Sequence, residues 1–300
     1  MPLAQRIAWA LLGATLSFAA QASGQSWQLI TTLDNDTAWR TRSPRVIQKS
    51  QSRLWLDLEL ELTPTLGIRG IGRAVWDPVR RIWSSDPIVD QKAVERWQVS
   101  SELEVELREL YVDWRDRVGG ARLDLRVGKQ QIVWGHSFGL RVLDFVDPRD
   151  FREFVLEPFV ESRIPTTGAR LEVTLPRFSF EAIVIPDFES DVIPDPTSEF
   201  ALDQQLPGFL PPLFEVPAGG FLADVRGSDT PDDWSLDTLG FGFRGATVAG
   251  GFDLALYYWD RYDSRPAFSR RLRSVNVPGL GVLPLNEIRA EHFRVRSLGL

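Results

Sequence analysis

The chain has 300 residues, of which 43% are apolar and 25% charged, so its composition is that of an ordinary globular protein. Its net charge of −7 argues against a nucleic-acid partner, because phosphate binding needs a basic surface and the sequence has no basic stripe. The sequence contains no cysteine, so we expect hydrogen bonding and burial alone to hold the fold.

The first 22 residues have the pattern of a secretory signal peptide. Arg6 precedes an apolar run from Ile7 to Ala20, and Ala20-Gln21-Ala22 is a small-x-small cleavage signal. We therefore predict cleavage after Ala22, with an uncleaved membrane anchor as the alternative. No later segment offers about 18 consecutive apolar residues, so no spanning helix is predicted in residues 23–300.

Alternation of apolar and polar residues with a period of two predicts ten β-strands in residues 23–300. In residues 54–62 leucine takes every second place, and Asp57, Glu59 and Glu61 stand between the leucines. Most of the segments have the length, about 9 to 13 residues, that a tilted strand needs to cross a bilayer. The predicted strands are residues 28–41, 52–62, 66–76, 102–114, 121–134, 168–175, 178–186, 237–246, 251–261 and 291–300.

The connections between these strands alternate between short and long. Short ones are residues 63–65, 115–120, 176–177 and 247–250, and long ones are residues 42–51, 77–101, 135–167, 187–236 and 262–290. This rhythm is typical of an all-β, antiparallel up-and-down transmembrane β-barrel of the outer membrane. The ten strands are either a closed barrel or the first part of a larger one. A soluble antiparallel sandwich, whose strands also alternate, is the alternative.

Aromatic residues cluster at the predicted strand ends. Those at the ends next to the long loops are Trp39, Trp76, Trp134, Tyr258 and Trp259, and those at the other ends are Tyr111, Trp114 and Phe178. Trp and Tyr combine apolar bulk with a polar tip, which suits the two faces of a membrane. We therefore predict two aromatic girdles.

The hairpin of residues 102–134 breaks its own alternation. Its outward apolar sets change phase, from Leu103, Val105 and Leu107 to Leu110, Val112 and Trp114, and from Ala121, Leu123 and Leu125 to Ile132 and Trp134. A register in which paired residue numbers sum to 235 places the two breaks opposite each other. We predict paired bulges near Arg108-Glu109 and Arg126-Val127, which concentrate charge on the lumen wall. Alternatively, one strand ends early and the polar residues belong to a loop.

The segments "LRELYVDWR", "LRVGKQQIVWG" and "GLRVLDFVDPRDFREF" resemble a proteobacterial outer-membrane barrel family catalogued as domain of unknown function 1302 (DUF1302). More distantly, they resemble alginate-export-type barrels. The resemblance implies an outer-membrane barrel without an assigned substrate, in a chain longer than 300 residues. Lys129 stands where the resemblance leads us to expect Arg, which weakens an anion-clamping role there. The final "RVRSLGL" lacks the terminal aromatic residue that is typical of outer-membrane barrels, which favours the first part of a larger barrel over a closed one without deciding between them.

The long loop 135–167 contains helix punctuation. Asp147 is a predicted N-cap, Pro148 occupies the first helical position, and Pro158 follows the end. This short helix is expected either to fold inward and narrow the pore or to pack over the barrel rim. The candidate lumen and constriction residues are Arg108, Glu109, Arg126, Lys129, Arg141, Asp144, Arg149, Asp150, Arg152 and Glu153.

Charged residues on the predicted inner face have two interpretations. Arginine dominates the cations there, and its planar fork binds carboxylates and phosphates, so an anionic solute is one interpretation. Carboxylates share the same face, so ion pairing between strands is the favoured one. The acidic loop residues Asp187, Glu189, Asp191, Asp195, Asp229, Asp232 and Asp233 are either calcium ligands or, as favoured, turn formers among prolines.

Catalysis has little support in the sequence. There are two histidines, and the adjacent His136 and Ser137 lack the spacing of a hydrolase triad. We therefore expect no catalytic residues, cofactor or metal site, with an outer-membrane lipase as the enzymatic alternative. The expected role is a channel or export conduit for an unidentified solute. The alternatives are a barrel for hydrophobic or lipid-like compounds, whose loop phenylalanines form a greasy pocket, and a structural surface protein without a channel.

The expected partners follow from that location. They are outer-membrane lipids, lipopolysaccharide and, during biogenesis, the barrel-assembly machinery. No nucleic acid is expected among them.

Overall fold

A computed structural model describes residues 7–22, 25–40, 47–79, 103–134, 146–153, 158, 160–193, 222–277 and 281–300. The described residues form an all-β structure of fourteen strands. Among them, no helix is long and apolar enough to span a membrane. The predicted all-β, antiparallel architecture is confirmed.

Eleven strands form one antiparallel sheet in which the neighbours follow the chain order β1-β2-β3-β4-β5-β6-β7-β8-β10-β11-β14. The strands of this large sheet are β1 (Ile7–Ala22), β2 (Gln25–Arg40), β3 (Ile47–Thr63), β4 (Leu66–Trp76), β5 (Leu103–Val118), β6 (Ala121–Gln130), β7 (Thr166–Thr174), β8 (Phe178–Ile185), β10 (Gly240–Ala249), β11 (Phe252–Tyr262) and β14 (Arg294–Gly299). The other three, β9 (Leu222–Asp229), β12 (Ala267–Val277) and β13 (Gly281–Glu291), form a small sheet in which β9 and β13 are parallel.

All ten predicted strands occur in the large sheet, as β2 to β8, β10, β11 and β14. The eleventh strand, β1, contains the residues for which the sequence predicts a signal peptide, and it pairs with β2 along its whole length. Cleavage after Ala22 stays a prediction, and it would leave β2 at the edge of the sheet. The small sheet lies in the predicted long loops, where alternation is weak.

Short turns and long connections alternate along the large sheet, as predicted. We call the end of the sheet with the short turns the lower end, and the end with the long connections the upper end. Gly119 and Gly120 have φ angles of 57° and 87°, and Gly250 and Gly251 have 60° and 82°. Two consecutive residues in this left-handed region form the tight turn that matches the twist of a hairpin, and glycine adopts it without strain.

This tight turn corrects the predicted register of the β5–β6 hairpin. Val118 pairs with Ala121 and Leu110 with Lys129, so paired numbers sum to 239 and not to 235. Residues 115–120 were predicted to form a loop, whereas the two glycines alone make the turn and both strands continue to it. The register is therefore shifted by four residues.

One of the two predicted bulges is present. Ile71 of β4 pairs with Glu109 and Gly72 pairs with Leu107, so Arg108 is an extra residue in β5. The bulge restores the apolar face, because Leu107 and Leu110 are both exposed outward. The predicted bulge near Arg126-Val127 is wrong, since β6 pairs without a shift with both β5 and β7.

The two faces of the large sheet differ in polarity. Apolar side chains project outward into the exposed surface on every strand from β2 to β8, and Leu56 and Leu58 of β3 are 42% and 37% exposed. A second layer packed on these leucines, as in a sandwich, would bury them. The opposite face carries the buried charged residues. We call it the inner face.

The aromatic girdles are present in part. Trp39, Trp76 and Phe178 are exposed at strand ends, as predicted. Tyr111, Trp134 and Trp259 are instead buried on the inner face, with exposures of 5% or less. Strand β6 ends at Gln130, four residues earlier than predicted, and the chain then turns Ile132 and Trp134 inward.

Candidate functional site

The upper half of the inner face carries a network of buried ion pairs. Lys49 of β3 is 1% exposed and lies 2.8 Å from Asp36 of β2, and its Nζ also donates to Glu153. Arg53, four residues further along the same strand, donates from Nε to Asp34 over 2.8 Å. Each of these cations is paired with a carboxylate of a neighbouring strand, as burial of a charge requires.

Residues 146–165, which we call the inward segment, lie against this face. The segment is described except for residues 154–157 and 159. The Arg108 guanidinium donates to the carbonyl oxygens of Glu161, over 3.0 Å, and Arg163. Arg261 of β11 donates to the carbonyl of Val146 over 3.0 Å. The segment is therefore held by both β5 and β11 of the large sheet, and its described residues pack on the inner face; the narrowing of a pore by loop 135–167 stays a prediction.

The short helix predicted in this segment is not formed by residues 147–153. Arg149 instead makes an antiparallel bridge with Arg163, and Asp150 a parallel bridge with Val192. Asp147, the predicted N-cap, accepts a hydrogen bond of 2.8 Å from the backbone of Ile132. Its carboxylate is therefore committed to the end of β6 and does not cap a helix in its own segment.

The predicted constriction residues of the segment are engaged in ion pairs and hydrogen bonds. Arg152 donates to both Glu104 oxygens over 3.1 Å and to Asp150 over 2.6 Å. Arg149 is 1% exposed and donates to the Ser162 hydroxyl over 2.9 Å. Together with the Lys49–Glu153 pair, these contacts fix the segment to the wall. Mutual pairing, the favoured interpretation of the charges, is therefore confirmed here.

An apolar cluster occupies the inner face beside the segment. It consists of Ile132, Trp134, Val146, Ile183, Ile185, Tyr257 and Trp259. The Trp134 ring lies 5.4 Å from the Trp259 ring in an edge-on arrangement, and its Nε1 donates to Glu181 over 2.8 Å. The cluster is closely packed, with each described member 6% exposed or less.

The lower half of the inner face is less filled. A small cavity of about 60 Å³, open to the solvent, lies there, lined by residues that include Glu59, Arg69, Tyr111, Asp113 and Arg126. Arg69 is held by Asp57 at 2.6 Å. The inner face is thus occupied by the inward segment above and has open polar space below.

The remaining candidate residues are distributed between these regions. Arg108 and Glu109 are brought together at the bulge, as predicted. Arg126 lies on the inner face and stacks on Tyr111, with 4.2 Å between the guanidinium carbon and the ring centre. Lys129 shares the register of the outward Leu125 and Val127, so its predicted place on the lumen wall is wrong. Arg141 and Asp144 lie outside the described residues.

Two of the acidic loop residues accept hydrogen bonds from distant backbone amides, so they connect separate segments and do not form the local turns that the sequence favoured. Asp187 accepts from the backbone of Thr167 over 3.1 Å, and Asp233 accepts from that of Phe188 over 2.8 Å. Burial raises the pKa of Glu189 above its usual range, and the neighbouring Asp187 carboxylate adds to the rise. Among the described residues, no three His, Asp or Glu side chains form a cluster suited to a metal ion.

Several site residues were missed by the sequence analysis. Lys49 and Arg53 form ion pairs with carboxylates of the inward segment. Neither was predicted, because Lys49 lies in a predicted loop and Arg53 lies next to a row of outward leucines. Trp134 was assigned to the outward girdle. The only sequence signal for Lys49 is that it is one of three lysines in the chain. His136 and Ser137, and most of the loop phenylalanines, lie outside the described residues.

Comparison with known proteins identifies a family. The model of one protein family, described as "Protein of unknown function (DUF1302)", matches residues 4–295. No curated protein and no solved structure matches the chain.

Proposed function

Because the chain belongs to the DUF1302 family, we propose that it is an outer-membrane β-barrel serving as a channel or export conduit for an unidentified solute. Its surroundings are outer-membrane lipids and lipopolysaccharide, and the barrel-assembly machinery inserts it. The role is non-enzymatic: the wall of the barrel supplies a polar path, and the inward segment narrows it.

The division of the large sheet into an apolar and a charged face carries this proposal. Exposed leucine, valine and phenylalanine side chains suit lipid, whereas the outward surface of a soluble sheet carries polar groups. In a bilayer an open sheet edge would leave amides unpaired, so the sheet has to close on itself. Closure places the charged face around a lumen.

The inward segment supports a narrowed conduit in preference to a wide pore. Contacts from β3, β5 and β11 hold it across the upper half of the inner face. Removing one partner of a buried ion pair costs roughly 3–5 kcal/mol, because the other charge stays buried without a partner. The segment is therefore a fixed constriction and not a freely moving lid.

Planar-bilayer conductance tests the proposal. The purified chain should carry a small, steady ion current, and Glu153→Gln should increase the open-state conductance or the frequency of large openings. This substitution leaves Lys49 paired with Asp36 and weakens its contact with the inward segment, because it replaces an ion pair by a hydrogen bond to a neutral amide. Glu59→Gln, which removes a carboxylate from the lower cavity, is the matched control and should leave the size of the openings unchanged. Absence of current from the wild-type chain would contradict the proposal.

A barrel for hydrophobic or lipid-like compounds is the second candidate. The apolar cluster around Trp134 on the inner face favours it. It predicts a closed bilayer trace and lipid retained through purification. A closed trace without retained lipid would instead indicate a structural surface protein.

A further inference from the structure

We propose that Arg126, with Arg170 beside it and Tyr111 beneath it, binds a single carboxylate or phosphate group of a small polar solute in the lower cavity. This inference names the class of solute that the proposed conduit carries. It rests on the proposed function, because a solute can reach Arg126 only if the inner face is filled with water. It is carried by the register of β6 and β7 and by the contacts of the Arg126 side chain.

The register places two positive charges side by side. Arg126 of β6 is directly opposite Arg170 of β7, and both belong to the inner face. Side chains opposite each other in an antiparallel pair have β-carbons about 4.5–5.5 Å apart, where like charges repel. Arg170 is neutralised by its own carboxylates, since it donates to Glu181 over 2.8 Å and to Glu172 over 3.1 Å.

Arg126 has a much weaker arrangement. Its ion pair to Asp113 is 3.5 Å long, and the same carboxylate lies 2.6 Å from Arg115. Among the described residues its Nε is buried without a hydrogen-bond partner. The guanidinium carbon lies over the Tyr111 ring, 4.2 Å from the ring centre, in a cation–π contact, and Arg126 lines the cavity, where a ligand can reach it. Arg126 is therefore a half-buried cation with unused donors.

The chemistry of a guanidinium edge defines the ligand class. Two parallel N–H donors match the two oxygens of a carboxylate or of a phosphate, which forms short charge-assisted hydrogen bonds. The cavity that Arg126 lines also contains Glu59, Glu61 and Asp113. Of the three arginines that line the cavity, Arg69 and Arg115 are closely paired with Asp57 and Asp113, which leaves the Arg126 charge for a ligand with one anionic group on an otherwise neutral polar body.

Equilibrium binding to the detergent-solubilised full chain tests this inference without requiring ion current. The probes are gluconate, inorganic phosphate and sorbitol, which resembles gluconate but lacks its carboxylate. Gluconate or phosphate should bind at least about tenfold more tightly than sorbitol. Gluconate binding alone would assign the site to carboxylates, and phosphate binding alone would assign it to phosphates. Binding of neither would overturn the proposal, whatever the bilayer current shows.

Substitutions locate the site. Arg126→Gln should weaken binding of the anionic probe about tenfold or more, because it removes the charge-assisted bonds. Arg122→Gln removes the same charge from an exposed position four residues away on β6 and should leave the affinity within twofold of wild type. If both variants lost the same affinity, the effect would come from the overall positive charge of this region, and the proposed site at Arg126 would be overturned. Arg126→Lys, which keeps the charge without the fork, should also lose affinity, and it serves if Arg126→Gln does not fold.

Discussion

Single residues decide how closely the inner face is packed. Gly242 of β10 lies beneath two tryptophans, and a β-carbon added there would overlap the rings of Trp134 and Trp259. Its missing side chain is what lets Trp134 seat in the apolar cluster and reach Glu181. Packing density near that of a crystal leaves no spare room at such a position.

Gly242→Ala should therefore destabilise the fold by about 1–3 kcal/mol, because the added methyl group displaces packed rings. The measurement is unfolding in urea of the chain in lipid vesicles, followed by tryptophan fluorescence. Gly245→Ala on the same strand is the control, since its β-carbon would meet Phe180 at an ordinary 3.8 Å. Equal stability of the two variants would contradict the packing role assigned to Gly242.

The sequence predicted the direction of a side chain correctly where that direction follows from the alternation of its own strand. Alternation placed Leu107 and Leu110 outward and located the bulge at Arg108, because a charged residue there would otherwise interrupt the row of exposed apolar side chains. It failed for Asp147 and Trp134. Their roles depend on contacts between segments distant in the chain, and local helix and girdle patterns cannot anticipate such contacts.

The strands of this fold follow the alternation of apolar and polar residues, and glycine pairs in the turns end them. The ten strands found from the sequence all pair in the large sheet, since a period of two is a direct consequence of strand geometry. The predicted register of β5 and β6 was wrong because a six-residue loop was expected at residues 115–120. Glycine pairs at 119–120 and 250–251 make the two-residue turns, and that signal was present in the sequence.

The Gly119-Gly120 turn gives a prediction at the level of the hairpin. Gly120→Val should destabilise the chain by about 1–2 kcal/mol and slow its folding into vesicles, because a β-branched residue is strained at a φ of 87°. Gly119→Asn should be tolerated, since Asn-Gly favours the same turn. Folding can be followed by the shift of the unboiled protein on a detergent gel. Normal folding of the valine variant would contradict the assigned register.

At the scale of the whole molecule, the account depends on the separation of the two faces of the large sheet. The sequence predicted this separation from strands such as β3, but it could not show which loop returns to the inner face. That information resides in ion pairs such as Lys49–Glu153, whose partners are about a hundred residues apart. The absence of cysteine in the chain makes the separation directly measurable, because each introduced thiol is the only one.

Spin labels at Leu56→Cys and Asp57→Cys, compared in lipid vesicles, test the central claim most directly. The two residues are adjacent on β3 and belong to opposite faces, so each is the other's control. The account predicts that the label at 56 is relaxed by oxygen dissolved in the bilayer, and that the label at 57 is relaxed by a water-soluble nickel complex. Equal access of the nickel complex to both labels would contradict it.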